Sequence, residues 1–408
     1  VGNWLKSMIR SSGSWFLLLL LSLVVPLAAC QSVEMRKHGA GTTLPGHGHG
    51  RLPAAGDTHP GAAQVLELSA GMQLDQIIPK IADKRVVYVG ETHDRYSHHL
   101  VQLEIVRRLH QLNPDIAIGM EFFQQPFQPD LDAYITGETS QSEMLAATEW
   151  YQRWVYDFRL YQPLLDYARQ NNIPVIALNV DRETVKRVSA VGLEGLTESE
   201  RAAIPAVIDD SDPVYRERLR EVFLQHGKSI GRDFDRFVQV QLLWDESMAQ
   251  RVADYLTENP ARQLVVLAGS GHLMYGSGIP QRVQRHNPVA DAILLPGDTI
   301  KIKPGIADFI IYPEPASLPK AARMGIMLGE AEQGVKVERV GAGSAGERAG
   351  LKPDDIIRKL DGSSVSNFSD IKIAMLEKSP GDRIRLEVLR QRMLWEDEHL
   401  VFEFELGD

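Results

Sequence analysis

Five short apolar runs, each stopping abruptly at polar residues, constrain this chain more than any other feature. The clearest is Arg85-Val86-Val87-Tyr88-Val89, β-branched at three positions and closed by Gly90-Glu91-Thr92-His93-Asp94. Residues 115–123 end in Glu121, residues 173–178 are followed by Asn179 and Asp181, residues 263–268 by Gly269-Ser270-Gly271-His272, and residues 293–295 by Pro296-Gly297-Asp298. Near-continuous apolar runs of this length read as strands buried on both faces of a parallel sheet. The intervals between them carry helical patterns, as at His98–Leu112 (Leu100, Leu103, Val106, Leu109) and Asp233–Leu256. Alternating strands and helices predict an α/β domain with right-handed crossovers and a mostly parallel sheet flanked by helices. Ligand crevices of such sheets lie beyond the carboxyl ends of the strands, where these polar residues gather.

Two of the strand ends carry the same tetrad, Gly-x-x-His, at Gly90–His93 and Gly269–His272. With Glu91 and Glu121 arriving beside them, His93 and His272 either hold a divalent transition metal with an open position or act as an acid–base pair oriented by carboxylates. The alternative is two buried, satisfied histidines at loop starts. Asn179, Asp181, Gln241 and Asp245 are expected to line the same site, the last two because they interrupt or border the apolar stripe Phe234, Phe237, Val238, Trp244, Met248, Val252. Residues 193–232 read as a charged helical insertion broken at Pro205 and Pro213, either a surface feature or a lid. Nothing in the chain matches His-Glu-x-x-His, a phosphate-cradling glycine loop or a serine nucleophile elbow.

At 408 residues the chain predicts two or three domains. A net charge of −10 argues against nucleic acid as a partner. Lys6 and Arg10 precede an apolar run from Trp15 to Val25 and then Leu27-Ala28-Ala29-Cys30, so residues 1–29 are expected to be an export signal. The chain begins with Val1, and an alternative start codon or a start at Met8 is expected. Leu-Ala-Ala-Cys resembles the bacterial lipoprotein box, which implies lipidation of Cys30 and attachment to a membrane. With Gln31 following the cysteine, the resemblance implies an outer-membrane lipoprotein facing the periplasm. Residues 30–63 are rich in Gly and poor in apolar groups and read as a tether reaching roughly 30 Å. His38, His47, His49 and His59 within it are either a metal- or haem-collecting tail or part of a solvated linker.

Residues 64–313 form the α/β domain in this reading, 314–321 a proline-rich spacer, and 322–408 a small α+β domain. The segment Ala349-Gly350-Leu351-Lys352-Pro353-Asp354-Asp355-Ile356-Ile357 and the elements around it closely resemble a bacterial PDZ domain. That resemblance implies capture of a peptide or protein C-terminus by strand addition, beside Met324, Gly325, Ile326 and Met327 and against a helix bearing Ile371 and Met375.

The ordered motifs Gly-Glu-Thr-His-Asp, Met-Glu-Phe-Phe, Tyr-Gln-Pro-Leu-Leu-Asp-Tyr-Ala, Leu-Trp-Asp-Glu-Ser-Met-Ala and Gly-Ser-Gly-His resemble the ChaN family of haem-binding lipoproteins, in the Tiki superfamily alongside erythromycin esterases. The resemblance implies a metal or catalytic site at His93, Glu121 and His272, with Glu91 beside the first. It also implies haem held at a homodimer interface through a tyrosine, for which Tyr151, Tyr156 and Tyr161 are the candidates. Three functions follow: haem uptake or iron handling; a metal-dependent hydrolase or peptidase whose PDZ domain presents the substrate; or a non-catalytic envelope adaptor.

Overall fold

The computed structural model describes residues 71–225, 233–392 and 396–408. The expected export signal, Cys30 and the tether lie outside the described residues. Among those described, no helix is long and apolar enough to cross a membrane.

Six strands, β1 (Val86–Glu91), β2 (Ile116–Gln124), β3 (Val175–Asn179), β4 (Gln263–Gly269), β5 (Asp291–Pro296) and β6 (Phe309–Ile311), form one sheet. Their order is β3-β2-β4-β1-β5-β6, and every pairing is parallel. Side chains alternate between two cores: Val87 and Val89 join one cluster, Val86 and Tyr88 the other. Burial on both faces is why these strands read as unbroken apolar runs. The β6 strand was not expected; it is three residues long and only half-buried, too short to leave a pattern.

Two features of the helices matter for the site. The long helix Phe234–Glu258 packs on β3 and on the helix Ile279–His286, burying Gln241 and Asp245 on its inner side. In the charged insertion, Pro213 does not break a helix but begins one, Pro213–Gln225, as suits proline in a first turn. Tyr215 and Leu219 of that helix are buried, so the insertion is anchored in the domain and not merely laid on its surface.

The remaining strands, β7 (Ile326–Glu330), β8 (Val335–Val340), β9 (Ile356–Leu360), β10 (Ser363–Ser364), β11 (Arg383–Arg390) and β12 (Glu398–Glu405), make an antiparallel sheet in the order β12-β11-β9-β8-β7, with β10 paired to β9. Asn367 caps the helix Phe368–Met375, accepting from the Ser369 and Asp370 amides. Of the residues expected to meet a peptide, Ile326, Met327 and Met375 are at least partly exposed. Met324 and Ile371 have their side chains in the core of this domain. Gly325 takes φ +72°, and a Cβ there would lie 2.3 Å from that of Ser344, so no other residue fits this loop. The helix Phe368–Met375 also packs on Gln141–Ala147 and Trp150–Arg153 of the α/β domain. There Lys372 stands 5.8 Å from the Tyr151 ring centroid.

Candidate functional site

Parallel pairing of β1 with β4 sets Glu91 opposite Gly269, so both Gly-x-x-His motifs leave the same edge of the sheet side by side. Glycine is required at that crossing. A Cβ on Gly269 would lie 3.0 Å from His93 Cε1, and one on Gly90 would lie 2.4 Å from Leu295 Cδ2. Glu121 comes from β2, the other neighbour of β4. Its Oε2 accepts the Gly269 amide at 2.6 Å.

Each imidazole is held by its own carboxylate. His93 Nδ1 bonds Glu91 Oε1, and His272 Nδ1 bonds Asp245 Oδ1 at 2.7 Å. His272 Nε2 then faces Glu121 Oε1 at 3.5 Å. Glu91, His93, Glu121, Asp245 and His272 are all buried. Burial alone would discharge the rings, but the acids outweigh it. Glu91 and then Glu121 raise His93 above the usual imidazole range, while Glu121 and Asp245 push His272 to about 9. Glu91 is lowered, because His93 more than offsets the cost of its burial.

The floor can also hold a cation. Ligand atoms of Glu91, His93 and Glu121 lie within 4.8 Å of one another. Glu91 Oε2 is buried with no hydrogen-bond partner, and His99 Nε2 stands 3.9 Å from it. An acceptor left bare in this way suits a metal ion. The expected set was His93, Glu121 and His272; His93 and Glu121 are common to both, and His272, held at Nδ1 by Asp245, keeps its Nε2 3.5 Å from Glu121 Oε1.

Above the floor opens a cavity that is continuous with solvent. Trp154 and Tyr156 form one wall, their ring centroids 4.8 and 5.2 Å from that of His93. Between them Val155 has φ +66°, a conformation that β-branched residues rarely adopt, and this kink turns both neighbours toward His93. Trp244 stands edge-on to His272 at 6.3 Å. Asn179 and Gln241 line the cavity as expected from the sequence. Asp181 does not: it caps the helix Arg182–Val191 through the Thr184 amide and hydroxyl.

The three candidate tyrosines separate clearly. Tyr161 is buried, accepting from Trp154 Nε1 at 3.0 Å and donating to the His93 carbonyl at 3.1 Å, so it presents nothing to a ligand. Tyr151 lies toward the PDZ domain, beneath Lys372. Only Tyr156 lines the cavity, and its hydroxyl has no hydrogen-bond partner among the described residues. Burial, with Glu91, Asp94 and Glu121 nearby, pushes its phenol up to about 12.

Sequence reasoning missed Tyr215, whose hydroxyl donates to Asp245 Oδ2 from the charged insertion. A lone tyrosine among Arg and Glu residues leaves no signal of such a contact. Arg153 and Arg182, also in the cavity wall, were missed for the same reason.

Residues 77–283 match the family model described as haem-binding uptake, Tiki superfamily, ChaN, which covers just over half of the chain. Residues 322–400 match the PDZ domain model. Protein RETICULATA-RELATED 5, chloroplastic, of Arabidopsis thaliana is 26% identical over 344 residues, which span 75% of this chain and 44% of that protein. The chain therefore covers less than half the length of this relative. Among solved structures, ChaN of Campylobacter jejuni, described with cofacial haem binding, aligns at 16% identity and TM-score 0.49 over 60% of this chain and 92% of its own. An erythromycin esterase mutant in its open conformation aligns at 15% identity and TM-score 0.34, over 54% and 72% respectively. The PDZ domain of the carboxy-terminal protease of Vibrio cholerae aligns at 16% identity and TM-score 0.19, over 21% and 94%.

Proposed function

This chain belongs to the ChaN haem-binding uptake family of the Tiki superfamily and carries a PDZ domain after the family region, and from that premise we propose that it is a haem-handling protein of the bacterial envelope. Tyr156 is the residue we assign to haem iron. Its unpartnered phenol in an open, aromatic-walled cavity is the observation that carries this reading. Phenolate suits ferric iron, and the charge of the metal offsets the cost of deprotonating a phenol raised to about 12. In this reading Cys30 is lipidated, residues 30–63 tether the protein to the outer membrane on its periplasmic side, and the PDZ domain takes a peptide C-terminus. Haemin titrated into the purified protein should give a Soret band that Tyr156→Phe abolishes. No band at micromolar haemin would end the proposal. Sizing the protein with and without haemin tests whether two copies close over it.

A metal-dependent hydrolase is the second reading, favoured by the two carboxylate-held imidazoles that flank Glu121. Glu91, His93 and Glu121 would hold a divalent ion, which supplies a Lewis acid and an activated water. His272, fixed by Asp245, would give or take a proton beside them. Metal analysis of the wild type and of His93→Ala tests this; a protein that takes up no metal excludes the metal-dependent form.

A further inference from the structure

Two groups in the cavity wall serve no role described so far. Asn179, at the end of β3, is about nine-tenths buried, and its Nδ2 donates to the Glu121 carbonyl at 3.1 Å. A carbonyl only accepts, so this bond fixes which way the amide faces. Its Oδ1 is left buried with no hydrogen-bond partner, a cost that a ligand donor would remove.

Arg182 follows three residues later, at the start of its helix. One guanidinium nitrogen donates to the Gln152 carbonyl at 2.6 Å. Among the described residues, no carboxylate lies within ion-pair distance of this guanidinium. Arg153 differs, because Glu149 at 2.7 Å and Glu183 at 2.8 Å answer its charge. Arg182 thus offers the cavity a cation that no carboxylate among the described residues pairs with, and it is more exposed than the buried acids of the floor.

We propose that the cavity binds a small organic acid: its carboxylate against Arg182, an amide N–H or hydroxyl against Asn179 Oδ1, and a flat or apolar body against Trp154 and Trp244. A guanidinium fork matches carboxylate and phosphate alike. The floor decides between them. With His93 and His272 charged, Glu91, Glu121 and Asp245 leave the floor one negative charge in excess, which repels a doubly charged phosphate more strongly than a singly charged carboxylate held at the rim. The inference rests on the cavity alone and needs neither haem nor a metal.

The test uses the full chain, free of haemin and with chelator present, and follows tryptophan fluorescence because Trp154 and Trp244 line the cavity. The probes are N-acetyl-L-phenylalanine, its methyl ester and phenyl phosphate. The acid should quench saturably and bind at least tenfold more tightly than the ester, a difference of about 1.4 kcal/mol. It should also bind more tightly than phenyl phosphate. Arg182→Gln should remove the preference for the acid while leaving the ester unchanged, and Asn179→Leu should weaken both. Because acid and ester are compared on the wild type, the test does not depend on either variant folding. Equal affinity for acid and ester, tighter binding of phenyl phosphate, an unchanged acid affinity in Arg182→Gln, or no saturable quenching at millimolar acid would each overturn the proposal.

Discussion

Replacing Asp245 by Asn removes one of the two carboxylates that keep His272 charged while preserving the size and shape of the side chain. Burial opposes the imidazolium, but Glu121 and Asp245 together lift the ring from 6.5 to about 9. That excess corresponds to roughly 3 kcal/mol of folding stability. Asp245 supplies part of it, on the order of 1 to 3 kcal/mol. The sign follows from a folded-state value above the unfolded one. The contribution is complete below about 6.5 and is lost as pH rises through about 9. Urea unfolding in the presence of chelator should therefore show Asp245→Asn least stable relative to wild type near neutral or lower pH. The gap should narrow by that amount as pH rises through about 9. Loss of the Tyr215 contact adds an offset that varies with pH only where tyrosine titrates, above about 10, so the narrowing between about 6.5 and 9 is diagnostic. A gap that stays constant across the range would refute the reasoning, as would an NMR titration placing His272 unchanged in the variant.

Tyr161→Phe should leave the haemin Soret band intact, in contrast to Tyr156→Phe, while costing about 1 kcal/mol in urea unfolding because Trp154 Nε1 loses its acceptor. Haemin affinity should rise with pH, since Tyr156 must release a proton to bind iron, and equilibrium titration at several pH values measures this. Gly278→Ala should destabilise the protein by about 2–3 kcal/mol, read from the unfolding midpoint, because its Cβ would fall 2.1 Å from the His272 carbonyl oxygen. Glu91→Gln should lower the uptake of a divalent metal as measured by elemental analysis, since it removes the charge of the one carboxylate that has an uncommitted buried oxygen.

The elements of the site that were legible in the chain share one property: each is announced by its immediate neighbours. The apolar run before Glu91 marks a doubly buried strand, and the glycine three residues before each histidine marks a tight crossing of backbones. Ala349-Gly350-Leu351 and the residues after it mark the second domain by resemblance. Where local pattern is absent, reading failed. Tyr215 sits among charged residues with nothing to show that its hydroxyl reaches Asp245. Asp181 looked like a site residue because it follows a strand, yet Thr184 three positions on makes it a helix cap. The side chains of Met324 and Ile371, expected beside a peptide, are drawn into the core of the second domain, which no local pattern announces.

By itself, the order of residues determined that there would be a parallel sheet, that acids and imidazoles would gather at one of its edges, and that a second small domain would follow. It could not say that Glu91 joins His93 and Glu121 while His272 turns to Asp245, or that Tyr156 alone of three tyrosines meets the cavity. Those outcomes depend on strand order and register, and on a strained turn at Val155. Periodicity records which face of an element is buried; it carries no information about which distant element arrives to bury it.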